Sequence, residues 1–444
     1  MNGQSPKNML LIYLPLITPR CEYVFEMLFK EELGIEYQVT TDLKIFEEYK
    51  QEKINYSFKR NNDEFYIQAS SLLFGHEIKE IDLSIEKRFE TTVLFVNDTS
   101  CDLGFDIFSA MFYMISRYEE YLPFTPDKYG RFKASDSLAY RNKFLQKPVV
   151  NIWINIFRNL FVKKFSYLQL KPSSFNYIIT YDIDIAYAFI GRNIFRLIAS
   201  TFKDAIQLKF KNIFDRIRSL ANIQKDPWDI YDLLHDTIVK NKTRSIFFFL
   251  LADYSRYDKN INYRHPLMKE LVTKVSAFSE IGIHPSFKSS VIPKKISIEK
   301  TRLETLSEKK INKSRQHYLR FTLPDTYNYL IGTEIKEDYS MGFADMPGFR
   351  AGTCRPFYFY DLKNEKSTIL KIFPITVMEG SFIDYLHTSP NEAVEYIFKL
   401  IEEVKNVDGT FISIWHNHTL SETNMYKGWR YVHDKMIERI LLYT

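Results

Sequence analysis

From residue 175 onward, strand-sized apolar runs alternate with helical segments, and this alternation restricts the chain to very few architectures. The runs Tyr177–Tyr181, Ser245–Leu251, Ile281–His284, one ending near Ser314, Glu334–Asp338, Leu370–Thr376 and Phe411–Trp415 read as strands. Helical stretches fall between them at Pro227–Lys240, Pro266–Phe278, Ile298–Lys309, Pro324–Leu330 and Asn391–Lys405, with a last one near Tyr426–Leu442. Asp226 before Pro227 reads as an N-cap followed by a first-turn proline. Strands that each return through a helix lie parallel to one another. Six or seven such units in series predict a parallel α/β sheet able to close toward a barrel, with functional groups where strands end and loops begin.

The first part of the chain reads differently. A strand at Met9–Leu14 and an amphipathic helix around Tyr23–Glu32 precede short strand-like pieces at Glu36–Thr40, Ile54–Ser57, Phe65–Ile67 and Val93–Val96. Helices near Ile107–Tyr118 and Val149–Phe165 complete a smaller N-terminal α/β domain, residues 1–170, in which no catalytic constellation is evident. The Lys171–Pro172–Ser173–Ser174 stretch marks the boundary with a second domain, 171–444. Two domains suit a chain of 444 residues.

Several function classes are disfavoured at once. The three cysteines (Cys21, Cys101, Cys354) are far apart, so neither a disulfide framework nor a CxxC zinc site follows, and Cys354 reads as structural. The apolar stretch Met9–Ile17 is interrupted by Pro15 and lacks an A-x-A site, the first alanine being Ala69, so a cytoplasmic location is expected. No apolar run reaches the ~18–20 residues of a membrane span.

Net charge is +5, and residues 192–225 alone carry eight basic residues against Asp204 and Asp215. The apolar residues of that segment fall at helical spacing. They read either as the packed side of helices with a solvated basic face, or as peripheral contact with an acidic polymer or an anionic membrane surface. No nucleic-acid motif accompanies the charge, so no nucleic-acid partner is expected.

The polar residues at the strand ends carry the chemistry. Asp182 and Asp184 follow the first strand of the regular part, Asp253 the second, His284 ends the third, and Arg315 and His317 follow the fourth. Glu379 follows Leu370–Thr376, and His416 and His418 follow Phe411–Trp415. Four of the nine histidines would thus share one rim. Histidine with carboxylate suits Zn²⁺ and other borderline first-row ions. A bound metal activates water and polarises a carbonyl, while a free carboxylate and a second histidine move protons. No G-x-S-x-G elbow, P-loop or dinucleotide fingerprint is present.

These motifs resemble the polysaccharide deacetylase (NodB-homology) superfamily over residues 175–444, as a divergent bacterial branch with an extra N-terminal domain. Thr180–Tyr181–Asp182–Ile183–Asp184 resembles the family's T-[HF]-D-V-D form, Glu280–Ile281–Gly282–Ile283–His284–Pro285–Ser286 its E-I-G-x-H-[TS] motif, Arg315–Gln316–His317–Tyr318 its R-x-P-Y, and Ile414–Trp415–His416–Asn417 its last motif. The resemblance implies a distorted, incomplete (β/α)7-type barrel and a divalent metal, Zn²⁺ first, with Co²⁺ or Ni²⁺ as alternatives. It implies Asp182 as base, Asp184 and His284 as metal ligands, Arg315 orienting the base, and His416 as general acid, with His418 the alternative inward-facing residue.

Two departures matter. No histidine stands near Lys288 or Ser289, where the family has a second ligand, so His317 is expected as the third, with His265 as rival. The segment Gly342–Asp361 is long and rich in arginine and aromatic residues, and reads as a substrate-binding loop. Arg350 and Arg355 are therefore expected to bind substrate, along with Tyr318 and Trp415. The expected activity is metal-dependent removal of acetyl groups from an N- or O-acetylated sugar or polysaccharide precursor. The alternative is a catalytically weak carbohydrate-binding module of a polysaccharide assembly system.

Overall fold

The computed structural model describes residues 9–97, 101–166, 168–423 and 426–443. Its N-terminal part holds four parallel strands, β1 (Leu10–Tyr13), β2 (Tyr37–Thr40), β3 (Lys53–Ser57) and β4 (Phe65–Gln68), in the order β2-β1-β3-β4. α1 (Pro19–Phe25), which continues as a π-helix to Leu33, and α2 (Leu43–Glu48) connect the first three strands. An antiparallel hairpin of β5 (Ile85–Arg88) and β6 (Thr91–Leu94) follows, then α3 (Ile107–Ile115), α4 (Leu138–Arg141) and α5 (Val149–Lys164). All nine residues of α3 are buried, as expected of a helix apolar on every side.

The second sheet has nine strands. They are β7 (Asn176–Ile183), β8 (Ser245–Phe249), β9 (Glu280–Ile283), β10 (Lys313–Ser314), β11 (Glu337–Asp338), β12 (Phe357–Asp361), β13 (Lys366–Ile372), β14 (Val377–Met378) and β15 (Thr410–His416). Their order is β12-β13-β11-β10-β9-β8-β7-β15-β14, parallel throughout except for β12, which pairs antiparallel with β13. The two ends of the parallel run belong to one extended segment. β13 pairs with β11, and β14, four residues further on, pairs with β15. Between them Phe373 N donates to Asp338 O (2.8 Å), Ile375 N to Met341 O (3.0 Å) and Thr376 N to Ile412 O (2.8 Å). The sheet therefore curls until one segment touches both of its ends.

The helices between these strands are α6 (Ile194–Ile206), α7 (Phe210–Leu220), α8 (Tyr231–Asn241), α9 (Pro266–Ser276), α10 (Lys294–Ser307), α11 (Asp325–Gly332), α12 (Pro390–Lys405) and α13 (Trp429–Leu441). α8 begins at Tyr231, later than the sequence indicates. Asp226 is not its N-cap; its carboxylate accepts the backbone N–H groups of Ala188, Phe189 and Trp228 and so pins the loop that follows β7.

Alternation along the strands separates two apolar faces. Ile178, Ile246, Phe248, Ile412 and Ile414 join Tyr339, Phe373 and Ile375 in a small cluster on the concave side. Tyr181, Ile183, Phe247, Phe249, Phe411 and Trp415 point the other way, into a large core shared with the helices and with the N-terminal part. Thr180 and Asp182 share the parity of Ile178, and His416 that of Ile412 and Ile414. The polar groups thus stand above the concave cluster. Gly282 belongs to this side: a Cβ there would lie 2.6 Å from the Phe248 ring and 2.9 Å from Lys313 O, so only glycine leaves the ring its place.

The two parts of the chain are joined by buried charge. Arg350 grips Glu120 bidentately (Nε–Oε1 2.8 Å, Nη2–Oε2 2.6 Å), and Arg117 Nε binds the same Oε1 at 2.7 Å. Arg20 pairs with Glu365, and Arg355 with Glu32. Burial alone would raise the Glu120 pKa, but the two guanidinium groups outweigh it and hold it at about 2.

Arg350→Ala should destabilise the fold by about 3–5 kcal/mol, because a buried carboxylate loses its main partner. In the wild type the Glu120 contribution should be complete above the ordinary carboxylate range and disappear as pH falls toward about 2. Urea midpoints of both proteins measured across that range check the pair.

Candidate functional site

Strand register brings the site together. Asp182 lies opposite His416 across the β7–β15 pair, and Ile283 lies opposite Ser314 across β9–β10. His284 and Arg315, one residue beyond, therefore emerge side by side. Arg315 is fully buried above the Phe248 ring, 4.5 Å from its centroid. Its Nη1 donates to Asp182 Oδ1 (2.8 Å) and Thr180 Oγ1 (2.6 Å), and its Nε to Tyr339 O (2.9 Å). Asp182 is thus fixed through one oxygen, and its Oδ2 lies 3.9 Å from His284 Nε2.

Asp184, just past the end of β7, is met by three imidazoles. Its Oδ1 lies 3.1 Å from His284 Nε2, and its Oδ2 lies 3.4 Å from both His317 Nε2 and His416 Nε2. Burial would raise its pKa, but His317 and His416 more than offset this and hold it well below the usual carboxylate range. Oδ1 is buried and receives no aligned hydrogen bond.

Each imidazole is oriented from behind. His284 Nδ1 donates to Arg315 O (2.6 Å), which leaves the Nε2 lone pair facing Asp184. His317 Nδ1 donates to Asp258 Oδ1 (2.9 Å), and Asp258 is itself held by Phe287 N and Ser255 Oγ. Burial disfavours a charged His317, yet Asp184 and Asp258 lift its pKa to about 9. His416 Nδ1 meets Glu379 Oε1 at 2.8 Å, an oxygen that also accepts His416 N (2.6 Å) and Thr419 Oγ1 (2.7 Å). Burial opposes the charge on His416 as well, but Glu379 and Asp184 raise its pKa well above the ordinary value. His418 is the opposite case: burial and the neighbouring His416 push its pKa down to about 4.

Asp184, His284 and His317 each offer one ligand atom, all within 4.8 Å of one another. Two neutral-capable Nε2 atoms and a carboxylate with a buried, unsatisfied oxygen form a donor set able to hold a divalent ion. His265 is elsewhere: its Nδ1 accepts from Leu267 N at the start of α9, and it lines a different cavity.

The site opens into a cavity of about 490 Å³. The cavity is lined by Asp182, Asp184, His284, His317, His416 and His418 at its base and by Tyr318, Tyr385 and Tyr426 on its walls. Tyr318 holds a left-handed backbone (φ 62°, ψ 11°), a conformation unfavourable for an aromatic residue and often retained at functional sites.

The remaining expected substrate contacts are corrected by geometry. Arg350 is spent on Glu120 and Gly342 O, and Arg355 on Glu32 and Val407 O. Trp415 is fully buried, with Nε1 donating to Ser413 Oγ. None of the three lines the cavity. Most of Gly342–Asp361 packs inside, and its end forms β12 rather than a substrate loop. Asp253 is exposed and paired with Lys295 and Arg302.

Sequence reasoning also missed groups that the fold supplies. Lys128, Tyr129 and Arg131 of the N-terminal part line the cavity. Arg131 donates to Tyr385 Oη (2.7 Å), Tyr318 O (3.0 Å) and Asp127 Oδ2 (2.8 Å), so it ties the aromatic wall together. Asp258, which orients His317, has no motif signal at all.

Residues 10–166 match a family of unknown function (DUF7033). Comparison with curated proteins returned no match. Among solved structures, a Mycobacterium smegmatis protein assigned as a polysaccharide deacetylase is 12% identical, with a TM-score of 0.39 over 60% of this chain and 86% of that one. A mutant of a CE4 family pseudoenzyme with restored enzymatic activity is 12% identical, with a TM-score of 0.30 over 64% and 78%. A GH138 enzyme targeting pectin rhamnogalacturonan II is 11% identical, with a TM-score of 0.26 over 96% of this chain and 51% of that one. At these scores the likenesses carry no functional weight.

Removing the hydrogen bond behind His317 should loosen the donor set. Asp258→Ala is expected to weaken binding of added Zn²⁺ by about 10–100-fold, and His265→Ala to leave it unchanged. Titration calorimetry on the two variants separates the histidines.

Proposed function

We propose that the protein is a metal-dependent hydrolase that removes an acetyl group from an N- or O-acetylated sugar. One observation carries the reading: at the base of a single cavity, the Asp184–His284–His317 donor set stands beside an arginine-held carboxylate and a carboxylate-held imidazole. The motif resemblance at Asp182–Asp184, His284, Arg315 and His416 supports the same chemistry. On this reading the curled parallel sheet of residues 171–444 is the distorted (β/α)7-type barrel of the deacetylase superfamily. The preceding α/β part shares its core with that sheet and completes the cavity wall.

The roles follow from what each group can do. Asp184, His284 and His317 would hold a divalent ion, Zn²⁺ first by donor type; when bound, it would polarise the acetyl carbonyl and ease deprotonation of water. Asp182 accepts the water's proton; Arg315 holds one of its oxygens, so the other faces the reaction. The water oxygen adds to the carbonyl carbon, and the C–N or C–O bond to the sugar breaks. His416, oriented through its Nδ1 by Glu379 Oε1, delivers a proton to the departing nitrogen or oxygen. The products are acetate and a free amine or hydroxyl. Tyr318, Tyr385 and Tyr129 offer flat faces for a sugar ring.

Elemental analysis comes first, followed by acetate release over a panel of acetylated sugars. Wild-type protein is expected to hold near-stoichiometric metal, with Asp184→Ala and His284→Ala losing it. Asp182→Asn and His416→Ala should retain metal and lose about 10²–10⁴-fold in kcat. A metal-loaded protein that binds glycans but releases no acetate from any of them would replace this reading with the carbohydrate-binding module.

A further inference from the structure

The basic segment between β7 and α8 folds as two helices whose apolar residues are not packed. On α6 only Leu197 is buried, and on α7 only Arg216 and Ser219. Phe195 (77% exposed), Ile198 and Phe202 (69%) on α6, and Phe210, Phe214 (63%) and Ile217 on α7, face solvent. On α6 the exposed apolar positions repeat at intervals of three to four residues and occupy roughly a third of the helix circumference. The side turned toward the protein carries Leu197, Thr201 and Asp204. Arg216 reaches back from α7 to Thr201 Oγ1 and Asp204 Oδ2, both at 2.6 Å, and locks the two helices together. The hairpin is therefore held by a charge pair on its inner side, and its outer side needs another partner. Isolated exposed apolar residues are ordinary, but two adjacent helices that each leave most of their large apolar side chains exposed mark an interaction surface.

The charge around the patch decides which partner. Lys203, Lys209, Lys211 and Arg218 are exposed, and among the described residues none of them makes an ion pair. Asp204, one of the segment's two acids, is consumed by Arg216. A second copy docking through the same face would bring these cations against one another. A surface with apolar depth and anionic headgroups satisfies both halves. No described helix is long and apolar enough to cross a membrane, so the contact would be in the plane of the interface.

We propose that the α6–α7 hairpin docks this protein on an anionic lipid bilayer, with its phenylalanine and isoleucine side chains among the upper acyl chains and its lysines and Arg218 against the headgroups. The hairpin begins ten residues after Asp184, on the loop that leaves the functional end of β7. The docking does not depend on the hydrolase reading.

The test is flotation of the full chain with vesicles of phosphatidylcholine alone or with about 30% phosphatidylglycerol. Wild-type protein should float with the anionic vesicles, at least about tenfold more than with neutral ones, and less as salt rises. Phe202→Asp combined with Phe214→Asp should abolish flotation, and Lys203→Glu combined with Lys211→Glu should abolish the anionic preference. All four side chains are exposed, so unchanged thermal midpoints are expected. Wild-type protein that stays unbound on both vesicles, or variants that float as the wild type does, would overturn the proposal. So would a wild-type dimer that fails to float and that Phe202→Asp with Phe214→Asp converts to monomer, since a second copy would then be the occupant.

Discussion

Arg315 is the tie on which sheet and site both depend. Rooted at the end of β10, its guanidinium reaches Thr180 and Asp182 on β7 and the backbone of Tyr339 beyond β11, and lies over Phe248 of β8. A cation buried this completely is costly unless its geometry is met on several sides. The concave side of the sheet satisfies Nε and Nη1 and leaves Nη2 without a hydrogen bond: Gly282 makes room for the Phe248 ring, and Thr180 passes its own proton on to Ser413 O of β15. The curl of the sheet and the placement of Asp182 are thus one arrangement. A change that relaxes the curl would strand the charge.

The same logic extends outward from the site. Each histidine around Asp184 has its Nδ1 engaged by a group that cannot readily move: a backbone carbonyl for His284, Asp258 for His317 and Glu379 for His416. This fixes which nitrogen faces the centre. It also divides the histidines by charge. His416 is raised well above the ordinary range, while His418, on the same loop, is pushed down to about 4. The two neighbouring imidazoles are thus pushed in opposite directions, His416 toward its charged form and His418 toward its neutral one.

The N-terminal part belongs to the same structure in two ways. Its Glu120 accepts Arg350 in a buried bidentate pair, and its Arg131 props the aromatic wall of the cavity. A chain whose first part served only as a spacer would need neither. The α6–α7 hairpin is the contrasting case, since its inner side is satisfied by Arg216 and Asp204 and its apolar side is left outward.

The sequence by itself determined the parallel α/β sheet, because strand and helix periodicities are local and each alternation leaves one topology. It also placed Asp182, Asp184, His284, Arg315, Glu379 and His416 at strand ends, where residues of one rim must meet. The sequence favoured His317, close behind the strand-end Arg315, over His265, which caps a helix; only the tertiary structure brings the His317 ring to Asp184 and leaves His265 in a different cavity. It likewise turned Arg350 and Arg355 away from the cavity, because long-range partners at Glu120 and Glu32 claimed them, and it buried Trp415 within β15 against the core. Asp258, Arg131 and Tyr129 came to the site through contacts across the fold, and no spacing along the chain records those. The exposure of the α6–α7 apolar face was also a tertiary outcome. Helical periodicity shows that a face exists; whether protein covers it depends on what the rest of the chain packs against.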